Sequence, residues 1–259
     1  MILPAKDPFF LFFEVPIAIG SLPTRFTLMI DEPHPLCMLA AEELQRYLQN
    51  QEEWIHNFGL TKERQEGIVI GKMFGVLVVK TQQNEIGYLA AFSGKLAGGN
   101  HHSGFVPPVF DGLTDKSFLN NGMQELTRMN QEIKKLEEEN PDTQQIKRLK
   151  TVRRDHSVAL QRQLFDQYHF LNRAGEEKNL NAIFESALRK NPPSGAGECA
   201  APKLLQYAFL HRMKPLALAE FWWGQSPKSD FWKHGQFYPC CREKCEPILA
   251  HMLEGIDTD

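Results

Sequence analysis

Three of the five cysteines in this 259-residue chain fall within FYPCCREKC, Phe237 to Cys245, directly before the short helical pattern CEPILAHMLEG. A fourth, Cys199, opens another helical pattern, ECAAPKLLQYAFLHR, and the fifth, Cys37, stands apart. A thiol at a helix start meets unpaired backbone N–H groups and the positive end of the helix dipole, which favour the thiolate. A strand, MKPLALAEFWWG, joins the two helices, so Cys199, Cys241 and Cys245 are placed to converge. His234 offers a fourth donor for a Cys3His set, and structural zinc is the cofactor such a set implies. Three uses stay open at this stage: a metal site, a redox centre, or small side chains packed in a core, where free cysteine is common.

The elements that must position these residues follow from periodicity. LCMLAAEELQRYLQNQEEW repeats apolar residues at helical spacing. MFGVLVVK and IGYLAAFSGKL, joined by TQQNE, predict a hairpin of two buried strands. From about Lys116, Met123, Leu126, Met129, Ile133 and Leu136 form a narrow seam, interrupted at Asn140-Pro141-Asp142. A second helix from about Thr143 to Leu171 carries Ile146, Leu149, Val152, Leu160, Leu164 and Phe165. The expected architecture is therefore α/β (α+β): a small mixed sheet flanked by helices and interrupted by a projecting antiparallel helical hairpin. Its expected segments are 1–115 and 176–259 for the body and 116–175 for the hairpin.

Composition bounds the partners. Net charge is -3 with 24% charged residues, so any polyanion-binding surface must be local. No apolar run reaches the roughly 20 residues of a membrane helix, and MILPAKDPFFLFFEVP lacks the form of a signal peptide. With an odd number of cysteines, the expectation is a reducing, cytoplasmic location and no membrane partner.

Local surfaces for RNA do exist. Lys147, Arg148, Lys150, Arg153, Arg154 and Arg162 form a basic stripe on the second hairpin helix, opposed within that helix by Asp155. The bland alternative is a solvated face paired with Glu137, Glu138 and Glu139 across the hairpin. Trp222, Trp223 and Trp232, near Lys228, Lys233 and His234, are a second candidate, since aromatic rings stack on unpaired bases.

Two family resemblances bear on function. The order helix, hairpin, helix with a cysteine, strand, helix with paired cysteines resembles the zinc-dependent deaminases in outline. Cys199-Ala200-Ala201 departs from that pattern, because alanine stands where the family's glutamate acts. Cys241 and Cys245 are also one residue further apart than the family's pair. A deaminase-like hydrolase would have to recruit Glu198 or Glu220. The second resemblance is more extensive. EPHPLCMLAAEELQRYL, GKMFGVLVV, FVPPVFD, LFDQYHFLN, GAGECAAPKLLQYAF, KPLALAEFWWG and FYPCCREKCEPILAHMLEG are similar to the N-terminal region of a bacterial group of RluA-type pseudouridine synthases. It spans about Glu32 to Gly255. It implies a non-catalytic region that helps bind or position structured RNA, rRNA or tRNA, beside a synthase catalytic domain in the same polypeptide. The synthases' catalytic Arg-Leu-Asp does not occur here; Arg148-Leu149-Lys150 lacks the carboxylate. A third expectation is a protein-interaction module built on the helical hairpin.

Overall fold

The computed structural model describes residues 7–28, 32–60, 67–112, 118–140, 143–187, 190–227 and 231–258. In chain order the elements are β1 (Leu11–Phe12), β2 (Thr27–Leu28), α1 (Pro35–Asn50), β3 (Lys72–Lys80), β4 (Ile86–Phe92), α2 (Phe118–Glu139), α3 (Gln144–Phe165), β5 (His169–Leu171), β6 (Glu177–Asn179), α4 (Leu180–Glu185), α5 (Ala200–Leu210), β7 (Lys214–Trp223), β8 (Phe237–Tyr238) and α6 (Glu246–Met252). The expected segment boundary at 115/116, the Pro141-Asp142 break and Lys228 lie outside the described residues.

The mixed sheet runs β1-β4-β3-β7-β2, with β8 also on β7. β3 pairs antiparallel with both β4 and β7, whereas β2 joins β7 in parallel. Side chains alternate across a strand, so β3 feeds two cores. Phe74, Val76 and Val78 pack with Ala40, Leu44 and Leu48 of α1, while Leu77 and Val79 share the opposite core with Leu204 and Ala208 of α5 and Ile248 of α6. Helices thus cover both faces, which is why β3, β4 and β7 read as nearly unbroken apolar runs. Gly75 permits a close approach of α5 to the sheet: a Cβ there would lie 2.9 Å from Ala200 Cβ at the start of α5. No helix among the described residues is long and apolar enough to cross a membrane.

The hairpin is antiparallel. Gly122 near its base faces Leu160, and Glu137 near its tip binds Lys150 at 2.7 Å. Thr143 caps α3 by accepting a hydrogen bond from the Ile146 N–H at 3.3 Å. Leu126, Met129, Ile133, Ile146 and Leu160 are buried on the seam, but Met123 and Val152 are about half exposed and do not belong to it. α3 also ends at Phe165, short of the expected Leu171, because the chain turns to place fully buried Phe170 in the core and to pair β5 with β6.

Candidate metal centre

Two helix starts bring the thiols together. Cys199 is the N-cap residue of α5 and Cys245 that of α6. Cys241 lies four residues earlier, and its carbonyl accepts hydrogen bonds from the N–H groups of Cys245 and Glu246 at 3.2 and 3.3 Å. That turn sets the sulfurs of Cys241 and Cys245 3.3 Å apart in a hydrogen bond. The start of α5 is tied down independently. The Ala200 N–H donates to Ser93 Oγ at 3.2 Å, the Ala201 N–H to Glu220 Oε1 at 3.1 Å, and the Gly94 N–H to the Glu198 carbonyl at 2.8 Å. Cys199 is thereby held where all three Sγ atoms lie within 4.8 Å of one another.

This spacing suits a metal. Tetrahedral zinc with Zn–S bonds of roughly 2.3 Å requires sulfurs about 3.8 Å apart, inside the range spanned by the three thiols. Their electrostatics point the same way. Hydrogen bonds from Cys199 and Cys245 hold Cys241 below the ordinary thiol range, while bonds with Cys199 and Cys241 push Cys245 up and the bond with Cys241 pushes Cys199 up. Cys241 is thus the thiol most favoured as thiolate, the form that ligates a metal.

The fourth ligand expected from sequence does not join. His234 Nδ1 accepts a hydrogen bond from the Gly224 N–H at 3.1 Å, and its ring lies 4.3 Å from Trp223. Among the described residues the donor group is Cys199, Cys241 and Cys245. The missing fourth donor reflects the short β8 strand, which diverts the chain between His234 and Cys241 along the edge of β7.

Two carboxylates stand near the thiols, each already engaged. Glu198, adjacent to Cys199, accepts a hydrogen bond from the Tyr168 hydroxyl at 3.0 Å. Glu220, only 4% exposed, binds the Ala201 N–H and the Cys240 thiol. Burial pushes Glu220 up to about 7, against the opposing pull of the Ala201 N–H. Sequence reasoning missed a buried lysine beside them. Lys203 is 4% exposed, and its Nζ donates to the Phe92 and Gly94 carbonyls at 2.8 and 3.2 Å. Its signal was available: a lysine flanked by apolar residues in a helix buried on every side.

The nucleic-acid candidates separate into engaged and available groups. Lys150 binds Glu137, Arg154 binds Asp155 at 3.0 Å, and Arg153 is half-buried. Lys147 is exposed but engaged. Arg148 and Arg162 are exposed, without an ion pair among the described residues. Trp223 is 2% exposed beside Phe221 and offers no face to a base. Trp222 and Trp232 remain half-buried, stacked on each other at 5.6 Å. Comparison of the chain with protein-family models, with curated proteins and with solved structures found no match.

Proposed function

We propose that this chain is a zinc-stabilised accessory module that helps position structured RNA for an RluA-type pseudouridine synthase domain in the same polypeptide, in the cytoplasm. One observation carries the metal half: three thiols from two helix starts, each start anchored by its own hydrogen bonds, meet within 4.8 Å. Zinc there would staple α5 to α6, contributing folding free energy that the metal-free thiols do not supply. The RNA half is supported by the extended sequence resemblance and by exposed Arg148 and Arg162 on the projecting hairpin. The experiment is elemental analysis of chelator-free protein, wild type against Cys241→Ser with Cys245→Ser. One zinc per chain, lost in the variant, is the expected result; metal-free wild-type protein would leave the thiols as core residues.

A second reading, a deaminase-like hydrolase, is favoured by one feature, the buried Glu220 beside the thiols. In such an enzyme zinc supplies activation of a water molecule. Against it stand Ala201 and the existing bonds of Glu198 and Glu220. Ammonia release from cytidine or adenosine by zinc-loaded protein, abolished by Glu220→Gln, would establish the hydrolase and displace the accessory reading.

A further inference from the structure

A further group of cations lies away from both the thiols and the hairpin. At the junction of α5 and β7 a cleft of about 400 Å³ is lined by Arg25, Arg173, Arg212 and Lys214, against the one carboxylate of Asp257. These four cations come from three separate segments: the approach to β2, the β5–β6 turn, and the α5–β7 turn. In a chain of net charge -3 this is a local inversion of sign. Arg25 is held by Asp257 at 3.2 Å and Arg173 reaches the Gly255 carbonyl at 3.4 Å, which fixes both at the rim. Phe209 and Met213 give the cleft an apolar floor.

Arg212 adds an observation of a different kind. α5 ends with the Met213 N–H on the Ala208 carbonyl at 2.8 Å, a closing bond that places Arg212 in the left-handed region at φ 53°. Glycine is the usual residue at such a position, because a Cβ is disfavoured there. A cation near a helix C-terminus is favourable, but Lys214 satisfies that preference without strain. Backbone strain of this kind clusters at ligand-binding sites, and here it is held at the mouth of the charged cleft.

We propose that this cleft binds a nucleotide phosphate, with Arg173, Arg212 and Lys214 on the phosphate and the base laid on the Phe209 floor. A phosphate ester bearing a planar group satisfies the cationic rim and the apolar floor together, which a bare anion or a sugar phosphate does not. Two sources share that chemistry, a free nucleotide and one unit of single-stranded RNA. The cleft itself is independent of the thiols, and the RNA source rests on the reading proposed above.

The experiment titrates the full chain, over a range of salt, with a labelled single-stranded oligouridylate and with UMP as competitor. The variants are Arg173→Ala, Arg212→Gly and, on the hairpin, Arg148→Glu with Arg162→Glu. Losing either cleft arginine should weaken binding about tenfold, and losing both should flatten the log–log salt slope by about 1.4. Arg212→Gly should at the same time raise the melting temperature, which an arginine kept for stability would not do. Oligouridylate binding that fails in the cleft variants and survives in the hairpin variant supports the assignment with RNA as ligand. UMP binding through the cleft without oligouridylate binding supports it with a free nucleotide, and the RNA reading then falls. Binding lost only in the hairpin variant leaves the RNA reading standing and overturns the cleft, as does the absence of binding by either probe.

Discussion

Lys203 offers the sharpest test of how the start of α5 is built. Burial lowers its ammonium from 10.5 to about 8, partly opposed by the charge of Glu198. A base whose folded pKa is depressed binds fewer protons folded than unfolded between those two values, so its contribution to stability rises with pH through that window. Integrating between about pH 7 and about pH 9.5, the gain attributable to Lys203 is about 2 kcal/mol. Other groups work in the opposite direction. Cys37 is raised by burial to about 12, and Tyr88 and Tyr168 are also held above the ordinary phenol range, so each removes stability as the unfolded chain ionises first. The measurement is therefore a difference: urea unfolding of wild type and Lys203→Met across the window. Wild type should gain about 2 kcal/mol on the variant as pH rises, whatever the absolute trend of either. Parallel profiles would refute the reasoning and mean that water reaches the ammonium despite its burial.

Gly75→Ala should destabilise the fold by about 1–3 kcal/mol, since its Cβ would press on Ala200 at 2.9 Å and Leu204 at 3.1 Å between two packed layers. Equilibrium unfolding checks this, and if the thiols hold zinc as proposed, its uptake should weaken in parallel because Ala200 follows Cys199. Glu220→Gln keeps an acceptor for the Ala201 N–H and should stay within about 1 kcal/mol of wild type, whereas Glu220→Ala removes it, opens a cavity and should cost about 2–4 kcal/mol. Retained zinc in Glu220→Gln would separate the carboxylate's structural role from ligation.

Much of this architecture was legible in the sequence because burial and periodicity coincide in it. The apolar run from Met73 to Val79 is a central strand covered on both faces, and TQQNE does turn the chain, with Asn84 at φ 66°. Cys199 and Cys245 sit at helix starts as their sequence context implies. What escaped notice is fixed by distant partners. The two-residue strands β1, β2 and β8 have no pattern of their own and exist because β4 and β7 offer edges. Phe170 falls inside the expected helix to Leu171 and carries no mark of its place in the body until the core that receives it is known. His234 failed as a ligand for the same reason, since nothing in its spacing records that the Gly224 N–H would claim its nitrogen. The Glu198–Tyr168 pair was likewise invisible, its partners being 30 residues apart.

The central ladder has a kinetic consequence. β3 registers against β7 from Lys72↔Trp223 to Lys80↔Lys214, and the Lys203 bond to Phe92 spans 111 residues. During synthesis the β3–β4 hairpin and the α2–α3 pair can form from local contacts, while β7 is still to come. Until it arrives, one edge of β3, carrying Val76 and Val78, presents unpaired backbone groups beside apolar side chains. Closing so long a loop adds little to the equilibrium cost but slows the search.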